Sequence, residues 1–147
     1  MKRILVAVDG SDPSLRAVDL AADLAAKYQA ELLLVHVMPE QAPLDPTLRE
    51  LARSEGSAGS PFEVFRAFGS KALSDAQTRA NDAGASRVTP EIASGDPGAV
   101  ILASARDRSI DLVVLGRRGR GQLSALLLGS VSQRVANRAP CPVLIVR

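Results

Sequence analysis

Glycines recur at fixed intervals in the segment VVLGRRGRGQLSALLLGSV, residues 113–131. Gly116 ends an apolar run, Gly119 follows after two residues, and Gly129 and Ser130 follow after nine more. A glycine lets a ligand come against bare main chain, and the start of a helix presents unpaired N–H groups with about half a positive charge. The spacing therefore predicts a phosphate-binding loop with main-chain donors at both of its ends.

Charged and hydroxyl side chains accompany these glycines. The segment carries Arg117, Arg118 and Arg120, and Ser130 and Ser132 open the helix that follows it. We expect the two hydroxyl groups to supplement the main-chain donors. At most one arginine, taken here as Arg118, is expected to contact phosphate, because exposed arginines are ordinarily solvated.

Two other phosphate-binding loops do not fit the segment. A Walker A loop places a Gly-Lys-Ser or Gly-Lys-Thr triplet after its first glycine. Gly116 and Gly121 have that spacing, but Gln122 follows, so no lysine reaches toward the β and γ phosphates. The dinucleotide fingerprint lacks its third glycine, because Ser124 stands there, and no first βαβ unit surrounds it.

The segment must be positioned by the strands and helices around it. The runs ILVAV and LLLV are apolar throughout, which is typical of strands covered on both faces. We expect five strands, over Arg3–Val8, Glu31–Val37, Ser86–Ala93, Asp111–Leu115 and Val143–Val146. We expect four main helices: one capped by Ser11 or Asp12, one over Phe62–Asn81, one that begins at Gly95-Asp96-Pro97, and one over Ser130–Asn137.

Apolar side chains at helical spacing identify the faces that these helices should bury. In the first helix we expect an apolar stripe from Leu15 to Tyr28. In the second we expect all three phenylalanines, Phe62, Phe65 and Phe68, to belong to the core.

Strands that alternate with helices predict an α/β fold, a parallel sheet covered by helices on both faces. Ligands of such sheets bind beyond the carboxyl ends of the strands, where the strand order reverses. Pro90 argues that the third strand lies at an edge, because proline cannot donate to a ladder. The 147 residues fit a single domain, 1–147, interrupted by a loop from Met38 to Pro61 that is rich in proline and glycine. That loop is either a binding element or a surface loop.

The Gly-x2-Gly-x9-Gly-Ser pattern resembles that of the ATP-binding branch of the universal stress protein family. Four further parts of the chain match the family: RILVAVDGSDPS at 3–14, LLLVHV at 32–37, GDP at 95–97 followed by DLVVLG at 111–116, and APCPVLIVR at 139–147. The segment 39–61 has no specific match. The resemblance implies a Rossmann-like, five-stranded sheet in the order 3-2-1-4-5. Asp9 and the Gly116 loop would then face one crevice.

The resemblance also implies where an adenine nucleotide would lie. The segment Ala7–Asp9 and the end of the second strand at Val37 would bound the adenosine, and main-chain N–H groups of the glycine segment would hold the phosphates. The predicted site comprises Ala7, Val8, Asp9, Val37, Leu115, Gly116, Arg118, Gly119, Gly129, Ser130, Val131 and Ser132. Asp9 could instead cap a helix or close a turn. We favour ligand contact, because the crevice is otherwise short of acids.

We therefore predict an ATP-binding regulatory protein of the stress response, with Mg²⁺ or Mn²⁺ entering with the phosphates. No dedicated enzyme is expected, since phosphoryl transfer needs a positioned base and none besides Asp9 can be named. Slow ATP hydrolysis or self-phosphorylation would fit the family. Two alternatives stay open: an enzyme that cleaves ATP between the α and β phosphates, and an interaction module that binds no nucleotide. Which residues would hold a metal is also left open.

Composition excludes several other classes of protein. The net charge is +2 and the sequence pI about 9.1, but three Phe, one Tyr and no Trp offer no platform for stacking nucleic-acid bases. No apolar run approaches the ~20 residues of a membrane span, and no signal peptide precedes the first strand, so we expect a cytoplasmic protein. Cys141 is the single cysteine, and the single histidine, His36, has no second metal ligand beside it and is expected to be structural.

The last strand suggests how two copies of the chain would meet. Val143–Val146 would be an exposed apolar edge, which invites pairing with another strand. The resemblance implies a homodimer formed through this strand.

Overall fold

The computed structural model describes residues 1–38, 61–119 and 128–147. Within them the strands are β1 (Arg3–Ala7), β2 (Glu31–Met38), β3 (Val88–Ser94), β4 (Leu112–Gly116) and β5 (Val143–Val146). The helices are α1 (Asp12–Tyr28), α2 (Pro61–Asp82), α3 (Pro97–Asp107) and α4 (Ser130–Arg138). All the predicted strands and main helices are present. Met38 closes β2 and Pro61 opens α2, and the rest of the predicted loop lies outside the described residues.

The five strands form one parallel sheet in the order β3-β2-β1-β4-β5, which confirms the predicted fold. β1 lies at its centre, where Ile4 is in register with Leu32 of β2 and with Leu112 of β4. The order reverses between β1 and β4, because the chain moves from β1 outward in one direction and later returns to build the other side. The loops that follow these two strands therefore meet at one edge of the sheet.

Alternating side chains of the sheet enter two separate cores. On one face, Ile4, Val6, Leu32 and Leu34 pack against α1 and α2. On the other face, Leu5, Val35, Val113 and Leu115 pack against Ile101 of α3 and Val135 of α4. Because successive side chains of a strand point to opposite faces, an apolar run with no polar interruption is what a doubly covered strand requires.

Two aromatic residues predicted to be buried are exposed. Tyr28 is 51% exposed, because it is the last residue of α1 and Gln29 turns the chain away in the left-handed conformation. Phe62 is 58% exposed. Phe62 lies in the first turn of α2, whose 22 residues span about 33 Å and are longer than the roughly 26 Å of β2. Phe68, further along α2, does pack against the core.

The two edge strands differ. Leu32 N bonds to Arg87 O and Gly95 N to Met38 O, so the odd-numbered residues of β3 bond to β2. Pro90 therefore stands on the outward side, where another strand would need an N–H group, which confirms its predicted edge position. β5 has no proline, and its four residues, all apolar, are half-buried.

None of the helices in the described part of the chain is long and apolar enough to span a membrane.

Candidate functional site

A cavity of about 280 Å³ lies beyond the carboxyl ends of β1 and β4. All twelve residues of the predicted site line it: Ala7, Val8, Asp9, Val37, Leu115, Gly116, Arg118, Gly119, Gly129, Ser130, Val131 and Ser132. The structure thus gathers segments that are up to 125 positions apart, from Ala7 to Ser132, around one space. Their roles toward a ligand remain predictions.

Four more residues, which the sequence did not indicate, also line the cavity: Ser14, Val35, Pro97 and Ile101. Val35 could have been predicted from the sequence, since it lies two residues before Val37 on the same face of β2. Pro97 and Ile101 come from α3, and nothing in the sequence says how α3 lies over the sheet. The contribution of β2 and α3 to the cavity wall is apolar throughout: Val35, Val37, Pro97 and Ile101.

The opposite wall ends at the start of α4, which has no side-chain cap among the described residues. Ser11 caps α1 by accepting from Ser14 N, and Asp96 caps α3 by accepting from Ala99 N at 2.8 Å. The N-cap of α4 is Gly129, which makes no such bond. The first N–H groups of α4 therefore meet the cavity with their partial positive charge, an arrangement that favours an anion.

The N–H of Gly129 itself is already used. It donates to Arg117 O at 3.0 Å, and this bond ties the two ends of the loop together. The available donors of α4 therefore begin with the main chain of Ser130, whose side chain is exposed. A ligand at this point would meet main-chain N–H groups and one hydroxyl.

Ser132 differs from Ser130. Its side chain is 5% exposed, and its hydroxyl donates to Gly116 O at 2.9 Å. A hydroxyl has one proton to donate, so this group is committed to holding α4 against the end of β4. The geometry therefore favours Ser130 over Ser132 as a hydroxyl donor to phosphate.

Two glycines of the segment have close neighbours where a side chain would be, main chain at Gly116 and a side chain at Gly119. A Cβ on Gly116 would lie 2.7 Å from the carbonyl carbon of Pro13 and 2.8 Å from the N atom of Ser14. A Cβ on Gly119 would lie 2.3 Å from Oδ2 of Asp9. Neither glycine has a positive φ, so what matters at both positions is the missing side chain and not backbone freedom. Gly121 lies outside the described residues.

Asp9 stands where β1 turns toward α1. Its Oδ1 atom accepts from the N–H of Ser11 at 2.9 Å and from the Ser11 hydroxyl at 2.6 Å, so the turn role considered for it is present. Its Oδ2 atom lies directly against Gly119, at the cavity wall that both residues line. Asp9 is only partly buried, and one carboxylate oxygen can therefore serve the turn while the other faces a ligand.

Charge in the cavity comes from few groups. Arg118 lines the cavity with Asp9, whereas Arg117 does not, and Arg120 lies outside the described residues. Within the described ranges no three His, Cys, Asp or Glu side chains are grouped so that they could hold a metal ion. A divalent cation here would have to rely on Asp9 and on the ligand's own oxygens.

Comparisons with known proteins give the cavity a context. The sequence pattern that defines the Universal stress protein family matches residues 1–147. Universal stress protein YxiE of Bacillus subtilis is 37% identical over 146 residues, which cover 99% of this chain and 98% of that protein. A universal stress protein of Methanocaldococcus jannaschii is 34% identical over 146 residues, 99% of this chain and 82% of that one.

Solved structures agree with the sequence comparison. The universal stress protein UspA of Lactobacillus plantarum superimposes with a TM-score of 0.81 at 28% identity, over 99% of this chain and 97% of that one. A universal stress protein solved in complex with cAMP superimposes with a TM-score of 0.73 at 32% identity, over 99% of this chain and 96% of that one.

Proposed function

Because the chain belongs to the universal stress protein family, we propose that its cavity binds an adenine nucleotide, ATP in the first place, as a regulatory ligand of the stress response. The observation that carries the proposal is the start of α4, which has no side-chain cap in the part of the chain that the structure describes. In α1 and α3 the N-cap side chain accepts from one of the first N–H groups, whereas the first residues of α4 line a cavity. A phosphate group is the ligand that suits such an end.

The remainder of the cavity suits the other part of a nucleotide. Val35, Val37 and Ile101 offer an apolar wall for a flat base, and the turn at Ala7–Asp9 adds main-chain groups and one carboxylate. A relative in fold, 32% identical, is described as a complex with cAMP, which supports an adenine nucleotide as the class of ligand. For ATP, Mg²⁺ or Mn²⁺ would accompany the phosphates and reduce the repulsion between them and Asp9.

ATP is proposed as a ligand and not as the substrate of a dedicated enzyme. Among the residues that line the cavity, Asp9 is the one carboxylate, and its Oδ1 atom is held by Ser11. Slow hydrolysis or self-phosphorylation is compatible with this arrangement. Steady turnover with release of pyrophosphate would instead favour the enzyme that cleaves between the α and β phosphates.

We also propose that two copies pair through β5. Its residues Val143–Val146 form an edge of the sheet with no proline to interrupt the outward row, in contrast to β3. Light scattering at micromolar concentration tests this, and a monomer would contradict it. The cytoplasmic location stays a prediction, and a cell fractionation would test it.

Calorimetry tests the nucleotide proposal. The parent protein is titrated with ATP, AMP and cAMP in the presence of Mg²⁺, beside a Gly129→Asp variant. A Cβ on Gly129 would meet nothing closer than 3.4 Å, and an N-cap aspartate satisfies a helix's own first N–H groups, so the variant should fold and hold α4 firmly. The same carboxylate occupies the anion position and repels phosphate.

We expect micromolar binding of ATP by the parent and a loss of at least about a hundredfold in Gly129→Asp, equivalent to about 3 kcal/mol. Asn137→Asp is the matched control, because it adds the same charge at the other end of α4 and should bind as the parent does. No binding of any of the three nucleotides by the parent would contradict the proposal and leave the module that binds no nucleotide. Equal binding by parent and Gly129→Asp would place the nucleotide elsewhere.

A further inference from the structure

The single histidine of the chain lies directly beneath the cavity, on the opposite face of the sheet. Val35 and Val37 line the cavity, and His36 between them points toward α2. Its side chain is 7% exposed. The expectation of a packed histidine is thus confirmed, but its contacts go beyond packing.

The imidazole holds the main chain at the point where β1 leaves the sheet. Register between β1 and β2 ends at Ala7 and Val35, and one more bond follows, from Val8 N to Val35 O at 2.8 Å. The carbonyl oxygen of Val8 lies 2.7 Å from Nδ1 of His36. A carbonyl only accepts, so Nδ1 carries the proton and donates it. Val8 lines the cavity, and Asp9 follows it.

Helix α2 fixes the imidazole from behind. A Cβ on Gly69 would lie 2.5 Å from Cδ2 of the ring, so the ring edge lies directly against the main chain of α2. The ring of Phe68 lies beside it, with 5.9 Å between the two centroids. Phe68 also reaches Gly10, where φ is +77° and a Cβ would be 3.1 Å from Cζ of the phenylalanine. Val8 and Gly10, the residues before and after Asp9, therefore contact His36 and Phe68. The first of these side chains packs against α2 and the second belongs to it.

We propose that His36 is a positioning residue for the nucleotide site, which holds the Val8 carbonyl and thereby directs the Asp9 carboxylate into the cavity. The inference rests on the proposed binding of an adenine nucleotide. In this proposal His36 touches no ligand but fixes the Ala7–Asp9 wall of the cavity. The affinity for nucleotide should therefore depend on the Nδ1–H hydrogen bond.

Two variants separate the hydrogen bond from the bulk of the ring. His36→Asn keeps an N–H donor near the position of Nδ1, whereas His36→Leu keeps apolar volume and has no donor. Unfolding by urea first establishes that both are folded. Calorimetry with ATP and Mg²⁺ should then show a loss of about tenfold in affinity for His36→Leu, the worth of one hydrogen bond, and recovery of most of it in His36→Asn.

A third variant tests whether the effect passes through Asp9. Asp9→Asn keeps an acceptor for Ser11 and removes the charge. If His36 acts by directing that carboxylate, His36→Leu should weaken binding much less in the Asp9→Asn protein than in the parent. Equal losses in the two backgrounds would overturn the inference.

The single histidine makes the bond itself observable, because one imidazole gives one set of NMR signals. The ¹⁵N shifts should identify the Nδ1–H form, and addition of ATP should move them although the ring lies across the sheet from the ligand. An Nε2–H form would overturn the inference. A folded His36→Leu protein that binds ATP as the parent does would also overturn it, but would leave the proposed function standing. A parent that binds no adenine nucleotide would overturn both.

Discussion

The two ends of the parallel sheet differ in how their polar groups are paired. At the amino ends, charged side chains pair with one another: Glu31 lies 3.0 Å from Arg3 and 3.9 Å from Arg87. At the carboxyl ends, glycines and a helix without a side-chain cap among the described residues leave main-chain donors at a cavity. The charged groups named at the amino end are thus paired with one another, whereas the donors at the carboxyl end face a space.

The comparison also shows that the size of a cavity does not identify a site. A groove at the amino end, lined by Arg3, Glu31 and Arg108 among others, has about 350 Å³, more than the 280 Å³ at the carboxyl end. The two arginines that line it, Arg3 and Arg108, already contact the carboxylates of Glu31 and Glu91, which lowers their attraction for an anion. Main-chain donors with no side-chain cap within residues 1–38, 61–119 and 128–147, and not volume, distinguish the carboxyl end.

The largest predicted effect concerns the glycines at the two ends. Gly116→Ala should destabilise the protein by about 3 kcal/mol, since its Cβ would strike the main chain of α1 and force a backbone shift. Gly84, which follows α2, has φ +90°, and a Cβ there would meet only Ala26 Cβ, at an ordinary contact distance of 3.7 Å. Gly84→Ala should therefore cost only about 1 kcal/mol of local strain. Urea unfolding measures both, and a larger loss in Gly84→Ala than in Gly116→Ala would contradict this ranking.

The two serines of α4 should separate stability from binding. Ser132→Ala leaves the buried carbonyl of Gly116 without its donor and should lower the free energy of unfolding by about 1–3 kcal/mol. Ser130→Ala should leave stability unchanged and weaken ATP binding by a few fold, because that hydroxyl is exposed at the cavity. Thermal unfolding and calorimetry on both variants check this, and the reverse pattern would contradict the roles assigned here.

Ion pairs at the amino end should matter little. Glu31 contacts Arg3 at 3.0 Å and Arg87 at 3.9 Å, and about half of its side chain is exposed. Glu31→Gln should therefore lower stability by at most about 1 kcal/mol and should not change nucleotide affinity. A tenfold loss of ATP binding in this variant would show that the two ends of the sheet are coupled.

The smallest effect is a dependence of stability on pH. Hydrogen bonds from the main-chain N–H groups of Lys2 and then Arg3 lower the pKa of Asp111. A lowered pKa stabilises the folded state above the ordinary aspartate pKa of about 3.9, and the contribution is lost as pH falls through the lowered value. Urea unfolding between about pH 6 and pH 3 should show a weaker acid destabilisation in Asp111→Asn than in the parent. Identical profiles would remove Asp111 from the account.

Much of this molecule could be predicted from its sequence. Apolar runs located the strands. The glycine spacing and the family resemblance identified twelve dispersed residues, and all of them line one cavity. What failed or was missed depends on how the helices lie. Phe62 is exposed in the first turn of α2, and Pro97 and Ile101 of α3 reach the cavity. Such placements arise from tertiary packing, and periodicity within one helix does not encode them.

Contacts between residues that are distant in the sequence could not be predicted either. Arg134 of α4 pairs with Asp96, the cap of α3, and lies over Gly98. The commitment of Ser132 to Gly116 is another case, since both residues had been predicted to face phosphate. Residue type and spacing showed which groups could bind an anion, but only the fold shows which of them are already used.

The central claim is that nucleotide binds at the carboxyl ends of the strands and at the start of α4. An amide NMR titration of the parent with ATP and Mg²⁺ tests it most directly, because each N–H group reports on its own surroundings. The account predicts the largest shift changes at Gly119, Ser130 and Val131, with Lys2, Arg87 and Ser109 at the other end unaffected. Shift changes centred on Lys2, Arg87 and Ser109, or no changes at saturating ATP, would contradict it.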